Sequence, residues 1–203
     1  MTAPVVFVVD DDVSVRESLE ALISYEGWQV ETFASAKGFL ARPRSLAPSC
    51  LILDVHLPEL NGLELQSRIA ADRTDMPIIF ITGHGDVPTT VKAMKGGAIE
   101  FLTKPFNDEA LLAAVGNAIE RSRAALGREA ATRSVRDGYA SLSSRERQVM
   151  KLVVSGLLNK QVGAELGISE ITVKAHRGRV MRKMHAASLA DLVKMAEQLP
   201  SRT

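Results

Sequence analysis

Cysteine is nearly missing from this chain: Cys50 is the single one among 203 residues. A lone thiol rules out an internal disulfide, and its place at the start of an apolar run reads as a small core residue. Long hydrophobic runs are missing too. Val5–Val9 is typical of the longest, far short of the roughly 20 residues that a membrane span needs. The N-terminus lacks a basic region and a cleavage signal, so no secretory peptide is expected and the cytoplasm is the expected location. The chain is 46% apolar and 24% charged, which excludes a disordered polymer and suits a folded protein of one large domain or two small ones.

A net charge of only +1 conceals a division. Residues 1–120 hold 17 acidic and 9 basic side chains, whereas residues 121–203 hold 7 acidic and 16 basic. Such asymmetry suggests two domains with different partners, the basic one suited to nucleic acid. A basic surface with no partner is the plain alternative.

The first 120 residues alternate between two patterns. Short apolar runs, "VVFVV", "WQVETF", "CLILDV", "PIIFIT" and "AIEFLT", are separated by segments of helical period. "SVRESLEALISYEG" puts Val15, Leu19, Leu22 and Ile23 on one face and stops at Gly27. "GLELQSRIAA", "DVPTTVKAMKGG" and "NDEALLAAVGNAIE" behave alike, the last capped by Asn107. Apolar strands alternating with helices imply a parallel sheet covered on both faces, and a doubly wound strand order of 2-1-3-4-5 is expected.

In such sheets, sites form beyond the carboxyl ends of the strands. The stretch "LILDVHLPELNG" ends an apolar run in Asp54; taken alone, that residue reads as a loop starter. Its company changes the reading. The first strand delivers Asp10, Asp11 and Asp12, the fourth Thr82, and the fifth Lys104. Two carboxylates about 5 Å apart repel by roughly 3 kcal/mol at an effective dielectric near 20. Oxygen-only ligands with few protein donors suit Mg²⁺, which commonly also holds a phosphate. Lys104 adds a cation and Thr82 a hydrogen-bond donor. The set reads as a phosphoryl-transfer site with a carboxylate nucleophile.

"VVDDD", "ILDVHLPELNG", "FITGHGD" and "FLTKPF" resemble the receiver domain of bacterial two-component response regulators, over roughly residues 4–120. The resemblance implies that Asp54 accepts a phosphoryl group from a sensor histidine kinase. It implies that Asp11, Asp54 and the backbone oxygen of His56 hold Mg²⁺, with Asp10 acting through the metal's water shell. Thr82 and Lys104 would contact the phosphoryl oxygens, and Phe101 occupies the aromatic switch position. His56 and Leu57 depart from common family choices, as does the pair Gly96–Gly97, which is expected to loosen the turn before the fifth strand. His84 is expected to shape the loop after the fourth strand. The alternative is a haloacid-dehalogenase-like phosphatase, with Asp10 as nucleophile and Asp12 as acid/base, since "VVDDDV" also fits that pattern.

"AIERSRAALGREAATRSVRDGYASL" is rich in helix formers. It reads as a long helix with breaks near Gly127 or Gly138, as a weak coiled coil, or as a flexible tether. Beyond it, Ser143 and Glu146 have capping-box spacing, with Val149, Leu152 and Val153 buried. "KQVGAELG" follows, with Val162 and Leu166 inward, then a turn at Gly167 and a cap at Ser169. The next helix sets Val173, Val180 and Met184 on one face, with Lys174, Arg177, Arg179, Arg182 and Lys183 outside that stripe. A short helix, a glycine turn and a basic helix make a helix-turn-helix.

"LSSRERQV", "GLLNKQVGAELGIS" and "TVKAHRGRVMRKM" are similar to the LuxR-type helix-turn-helix of FixJ/NarL-type regulators, over about residues 142–193. By that resemblance Lys174, Ala175 and Gly178 face base edges, while Lys160, Thr172, Lys174 and Arg177 contact phosphates. Gly178 offers no side chain to a base. His176 is expected to be packed or backbone-bonded. The whole is expected to be a flavodoxin-like receiver (1–120), a helical linker (121–138) and an all-α DNA-binding domain (139–203). Its expected role is a phosphorylation-controlled transcription factor, not a turnover enzyme, that dimerises on phosphorylation and binds promoter DNA away from any membrane.

Overall fold

The computed structural model describes residues 3–44, 46–70, 73, 75–83 and 85–199. His84, expected to shape a loop, lies outside them. The chain divides into two compact units, residues 1–127 and 128–203.

Alternating β-branched runs and amphipathic segments build the first unit. Its strands are β1 (Val5–Val9), β2 (Gln29–Phe33), β3 (Ser49–Asp54), β4 (Ile78–Thr82) and β5 (Glu100–Thr103). They form one parallel sheet in the order β2-β1-β3-β4-β5, as expected. Side chains of a strand alternate between faces. Phe7, Val9, Leu51, Leu53 and Phe80 therefore pack one core with Phe39 and Leu65. Val6, Val8, Cys50, Ile52, Ile79 and Ile81 pack the other with Leu19, Ile23, Leu111 and Val115. The Cys50 thiol is fully buried, and burial pushes its pKa up to about 12. Complete coverage holds only for β1, β3 and β4. The edge strands β2 and β5 are half exposed, because each has a neighbour on one side alone.

The helices of this unit are α1 (Val13–Tyr25), α2 (Ala36–Leu40), α3 (Gly62–Ile69), α4 (Val87–Lys95) and the start of α5 (Asp108–Ala140). Their starts are chemically marked. Asp12, Ser35, Asn61 and Asp86 accept hydrogen bonds from the first-turn amides of α1, α2, α3 and α4. Asn107 Oδ1 accepts from Glu109 N at 2.7 Å. The short α2 escaped the sequence reading, since five residues carry too little period to register. The turn before β5 uses Gly96 and Gly97 for different reasons. A Cβ at Gly96 would lie 2.5 Å from the buried Gln66 side chain, and Gly97 holds φ +95°; each glycine meets a separate steric demand.

Helix α5 runs through both Gly127 and Gly138 without a break. Leu111, Val115, Ala118 and Ile119 are buried in the first unit, and the Ser122 hydroxyl accepts from Ser49 N at 2.9 Å. Val135 and Tyr139 belong to the core of the second unit. A glycine inside a helix costs about 1 kcal/mol against alanine, a loss that packing at both ends offsets. Gly138 is needed for close approach, since a Cβ there would lie 2.9 Å from the Lys183 carbonyl oxygen.

The second unit continues with α6 (Ser144–Val154), α7 (Asn159–Leu166), α8 (Glu170–Lys183) and α9 (Leu189–Glu197). Val149, Val153, Val162, Val173, Val180, Met184 and Leu192 form its core. Helix α9 was not foreseen from the sequence, although Leu192 is wholly buried. No helix among the described residues is long and apolar enough to cross a membrane.

A reciprocal cap opens α6. Ser143 Oγ accepts from Glu146 N at 3.2 Å, and Glu146 accepts from Ser143 N at 2.8 Å. Lys183 Nζ closes on the same carboxylate oxygen at 2.8 Å. The Lys183 ammonium, followed by the Ser143 amide, holds the Glu146 pKa down at about 2. A depressed folded-state pKa contributes stability above the ordinary value near 4.5, and that stability is lost as pH falls toward 2. Carboxyl-detected NMR of the whole chain should place the Glu146 midpoint near 2. Glu146→Gln should make the unfolding free energy of this unit less steep in pH between those limits.

Candidate phosphoacceptor site and DNA-reading helix

Parallel strands bring their carboxyl ends to one edge, and the registers Val9↔Leu53, Asp54↔Ile81 and Thr82↔Thr103 line up the residues that follow. Asp10 is fully buried just beyond β1, Asp54 is buried at the end of β3, and Thr82 is buried at the end of β4. Asp11 is exposed at the rim. Carboxylate oxygens of Asp10, Asp11 and Asp54 all lie within 4.8 Å of one another. At an effective dielectric of 20, each ionised pair at that distance repels by about 3 kcal/mol.

Lys104 answers that repulsion. Its Nζ is 2.6 Å from Asp10 Oδ2 and 3.4 Å from Asp54 Oδ2. Its backbone is pinned as well, Lys104 N donating to the Thr82 carbonyl at 2.7 Å. Desolvation raises the Asp10 pKa above its usual value despite the Lys104 hydrogen bond. Burial also works against the charge on Lys104. The hydrogen bond and charge of Asp10, then those of Asp54, outweigh it and raise the lysine pKa. Asp10 is further fixed by Asp12 N, which donates to its Oδ1 at 2.9 Å, while Arg16 donates to its carbonyl at 2.7 Å.

The expected receiver residues thus meet: Asp10, Asp11, Asp54, Thr82 and Lys104 share one edge. Asp12 does not join them; its carboxylate caps α1 by accepting from Ser14 N at 2.8 Å. His56 N donates to Asp54 Oδ1 at 3.3 Å. Phe101 is half buried, its ring centroid 6.2 Å from that of Phe80. Three oxygen donors with one open to solvent fit a small hard cation such as Mg²⁺.

Some contacts were not visible in the sequence. The ring Nδ1 of His56 lies 3.2 Å from Thr82 Oγ1. A Cβ at Gly62 would come within 2.3 Å of the Asp54 carbonyl oxygen, so that glycine lets α3 start directly against the end of β3. The Pro/Asn/Gly loop was a visible signal of tight backbone there; the Thr82 contact had none.

In the second unit, Gly167 takes φ +65°, and Ser169 Oγ accepts from Thr172 N at 3.2 Å to start α8. A Cβ at Gly163 would meet the Ile168 carbonyl at 2.7 Å, so glycine is needed for α7 and α8 to approach. Val173 and Val180 face inward. Lys160, Lys174, Ala175 and Gly178 are exposed, while Thr172 and Arg177 are half buried. Arg177 donates to Asn159 Oδ1 at 3.1 Å, Lys174 pairs with Glu170 at 3.1 Å, and the Thr172 hydroxyl bonds Ser169 Oγ at 2.9 Å. His176 Nδ1 is buried without a hydrogen-bond partner, so the residue is packed, not backbone-bonded, at that atom.

A 2-1-3-4-5 sheet with an acidic triad at its carboxyl edge, followed by a helix-turn-helix, defines a signal receiver carrying a DNA-binding module. Residues 6–116 match the model of the response regulator receiver domain, and residues 140–196 match that of bacterial regulatory proteins of the luxR family. Nodulation protein W of Bradyrhizobium diazoefficiens is 52% identical over 198 residues, 98% of this chain and 87% of its own. Transcriptional regulatory protein FixJ of the same organism is 43% identical over 191 residues, 94% of this chain and 93% of its own. Among solved structures, response regulator StyR superposes with a TM-score of 0.89 at 45% identity, covering 98% of this chain and 100% of that one. The chain belongs to the FixJ/NarL-type two-component response regulators. Members of this family are phosphoacceptor transcription factors and not enzymes, which sets aside the phosphatase alternative with Asp10 as nucleophile.

Lys104→Met should leave Asp10 and Asp54 without their cation. Losing charged hydrogen bonds of this kind costs about 1.5–3 kcal/mol. Urea unfolding followed by Trp28 fluorescence should show a lower midpoint with an unchanged slope.

Proposed function

We propose that Asp54 is the phosphoacceptor and that its modification controls DNA binding by the second unit. The supporting observation is the convergence of Asp54 with Asp10, Asp11, Thr82 and Lys104 at one sheet edge. In this reading residues 1–120 act as receiver, 121–138 as helical linker and 139–203 as DNA-binding domain. A carboxylate oxygen of Asp54 forms a bond to phosphorus as the bond from phosphorus to the histidine nitrogen of a sensor kinase breaks. Asp11, Asp54 and the backbone oxygen of His56 would hold Mg²⁺, with Asp10 acting through its water shell. When bound, the ion neutralises the crowded carboxylates and the phosphoryl oxygens. The Lys104 ammonium pairs with a phosphoryl oxygen, and the Thr82 hydroxyl leaves the His56 ring to donate to another. Phe101 then turns into the space that Thr82 vacates.

That movement repacks the face made by α4, β5 and α5. Val87, Val91 and Met94 of α4 lie on one stripe and are 76%, 43% and 43% exposed, which suits an apolar contact between two copies. A dimer through this face would offer two α8 helices to half-sites about one DNA turn apart. Lys174, Ala175 and Gly178 would face bases, and Lys160, Thr172, Lys174 and Arg177 would contact phosphates. The partners are then a sensor histidine kinase, a second copy and double-stranded promoter DNA.

DNA titrations of the wild type and Asp54→Asn, with and without acetyl phosphate and Mg²⁺, test this reading. Acetyl phosphate should tighten wild-type binding by roughly 5–150-fold, the usual range of coupling between sites, and leave Asp54→Asn unchanged. Binding of both proteins should weaken steeply with salt. Equal responses in the two proteins would refute it.

A further inference from the structure

The outward face of α8 sets one large aliphatic side chain among cations. Val173 and Val180 are buried. Opposite them, by 3.6-residue geometry, stand Ile171, Ala175, Gly178 and Arg182, flanked by Lys174 and Arg179, all exposed. Ile171 is 80% exposed, in the first turn of the helix, just after the Ser169 cap. Isolated surface hydrophobics need no explanation. This one lies at the centre of the exposed face, one turn before Ala175 and two before Gly178. Reading helices of this type meet base edges with their N-terminal residues. Along this face Ile171 supplies a branched aliphatic chain, Ala175 a methyl group and Gly178 a bare backbone. Lys174 flanks this face and is paired with Glu170, and Arg182 stands on it three turns beyond Ile171.

We propose that Ile171, with Ala175, reads the 5-methyl groups of thymine in the major groove. This makes Ile171 a specificity-determining residue for DNA. The inference rests on the DNA-binding reading above. Aliphatic contact with the thymine methyl is the one major-groove feature that such side chains can recognise. Gly178 leaves room for the helix backbone to lie close to the base edges, which brings those short side chains within reach. The basic residues on and beside this face, Arg182, Lys174 and Arg179 with Lys160 of α7, favour nucleic acid over a protein partner as its occupant.

The test uses the full chain treated with acetyl phosphate and Mg²⁺. Duplexes are enriched from a random 30-bp pool, and each thymine of the enriched sequence is replaced in turn by deoxyuridine, which lacks only the methyl group. At one or two positions per half-site, wild-type affinity should fall about fourfold, the worth of one buried methyl. Ile171→Ser should lose that sensitivity at one position while keeping its salt dependence and circular dichroism. Ile171→Val should retain it. Specific enrichment with no response to uracil would overturn this inference and leave the DNA-binding reading standing. Enrichment of no sequence at all would overturn both. If Ile171→Ser alters the oligomeric state and leaves the uracil profile intact, the residue faces protein and the inference fails.

Discussion

One ammonium group holds the receiver's functional edge together. Lys104 Nζ reaches Asp10 and Asp54, at 2.6 and 3.4 Å, from a strand that pairs with neither of the strands carrying them. Without a cation, ionised Asp10 and Asp54 would repel across the mouth of the sheet by about 3 kcal/mol at an effective dielectric of 20. With it, both acids are kept close at the mouth of the sheet, and Asp11 is free to face solvent. The contact spans 94 residues of sequence, so it exists only once β1, β3, β4 and β5 are assembled in register.

The rest of the receiver serves that edge. The buried strands β1, β3 and β4 fix where each chain leaves the sheet, and the helix caps fix where it turns back. Gly62 lets α3 begin against the Asp54 carbonyl, and its amide donates to the Val55 carbonyl at 3.0 Å. Thr82 ends β4 beside the strand that carries Asp54, and its hydroxyl lies against the His56 ring.

The second unit solves a different problem with the same economy of means. A small all-helical core leaves one face of α8 uncovered, and the tight turn between α7 and α8 depends on two glycines with different duties. Gly167 supplies the left-handed backbone, and Gly163 removes the Cβ that would collide with Ile168. The three-way contact of Glu146 with Ser143 and Lys183 ties the start of α6 to the end of α8. Through it, the position of the reading helix is coupled to a buried charge.

Much of this was legible along the chain. Short apolar runs marked the strands, and helical patterns marked most helices, with caps at Asn107, Ser143 and Ser169, because burial and unsatisfied helix-end amides impose those signals locally. The acids, Thr82 and Lys104 could be assigned to one sheet edge because parallel topology sends every strand end the same way. Other features have no local signature. Whether Asp12 joins the site or caps α1 depends on side-chain direction. The continuity of α5 through Gly127 and Gly138 depends on packing at its two ends, and the roles of Gly62, Gly163 and Gly96 depend on which backbone or side chain arrives opposite. Sequence determined the elements and the chemistry gathered at their ends. Tertiary structure alone decided which partner each polar group takes, since hydrogen bonds and steric exclusion act over ångströms between residues far apart in the chain.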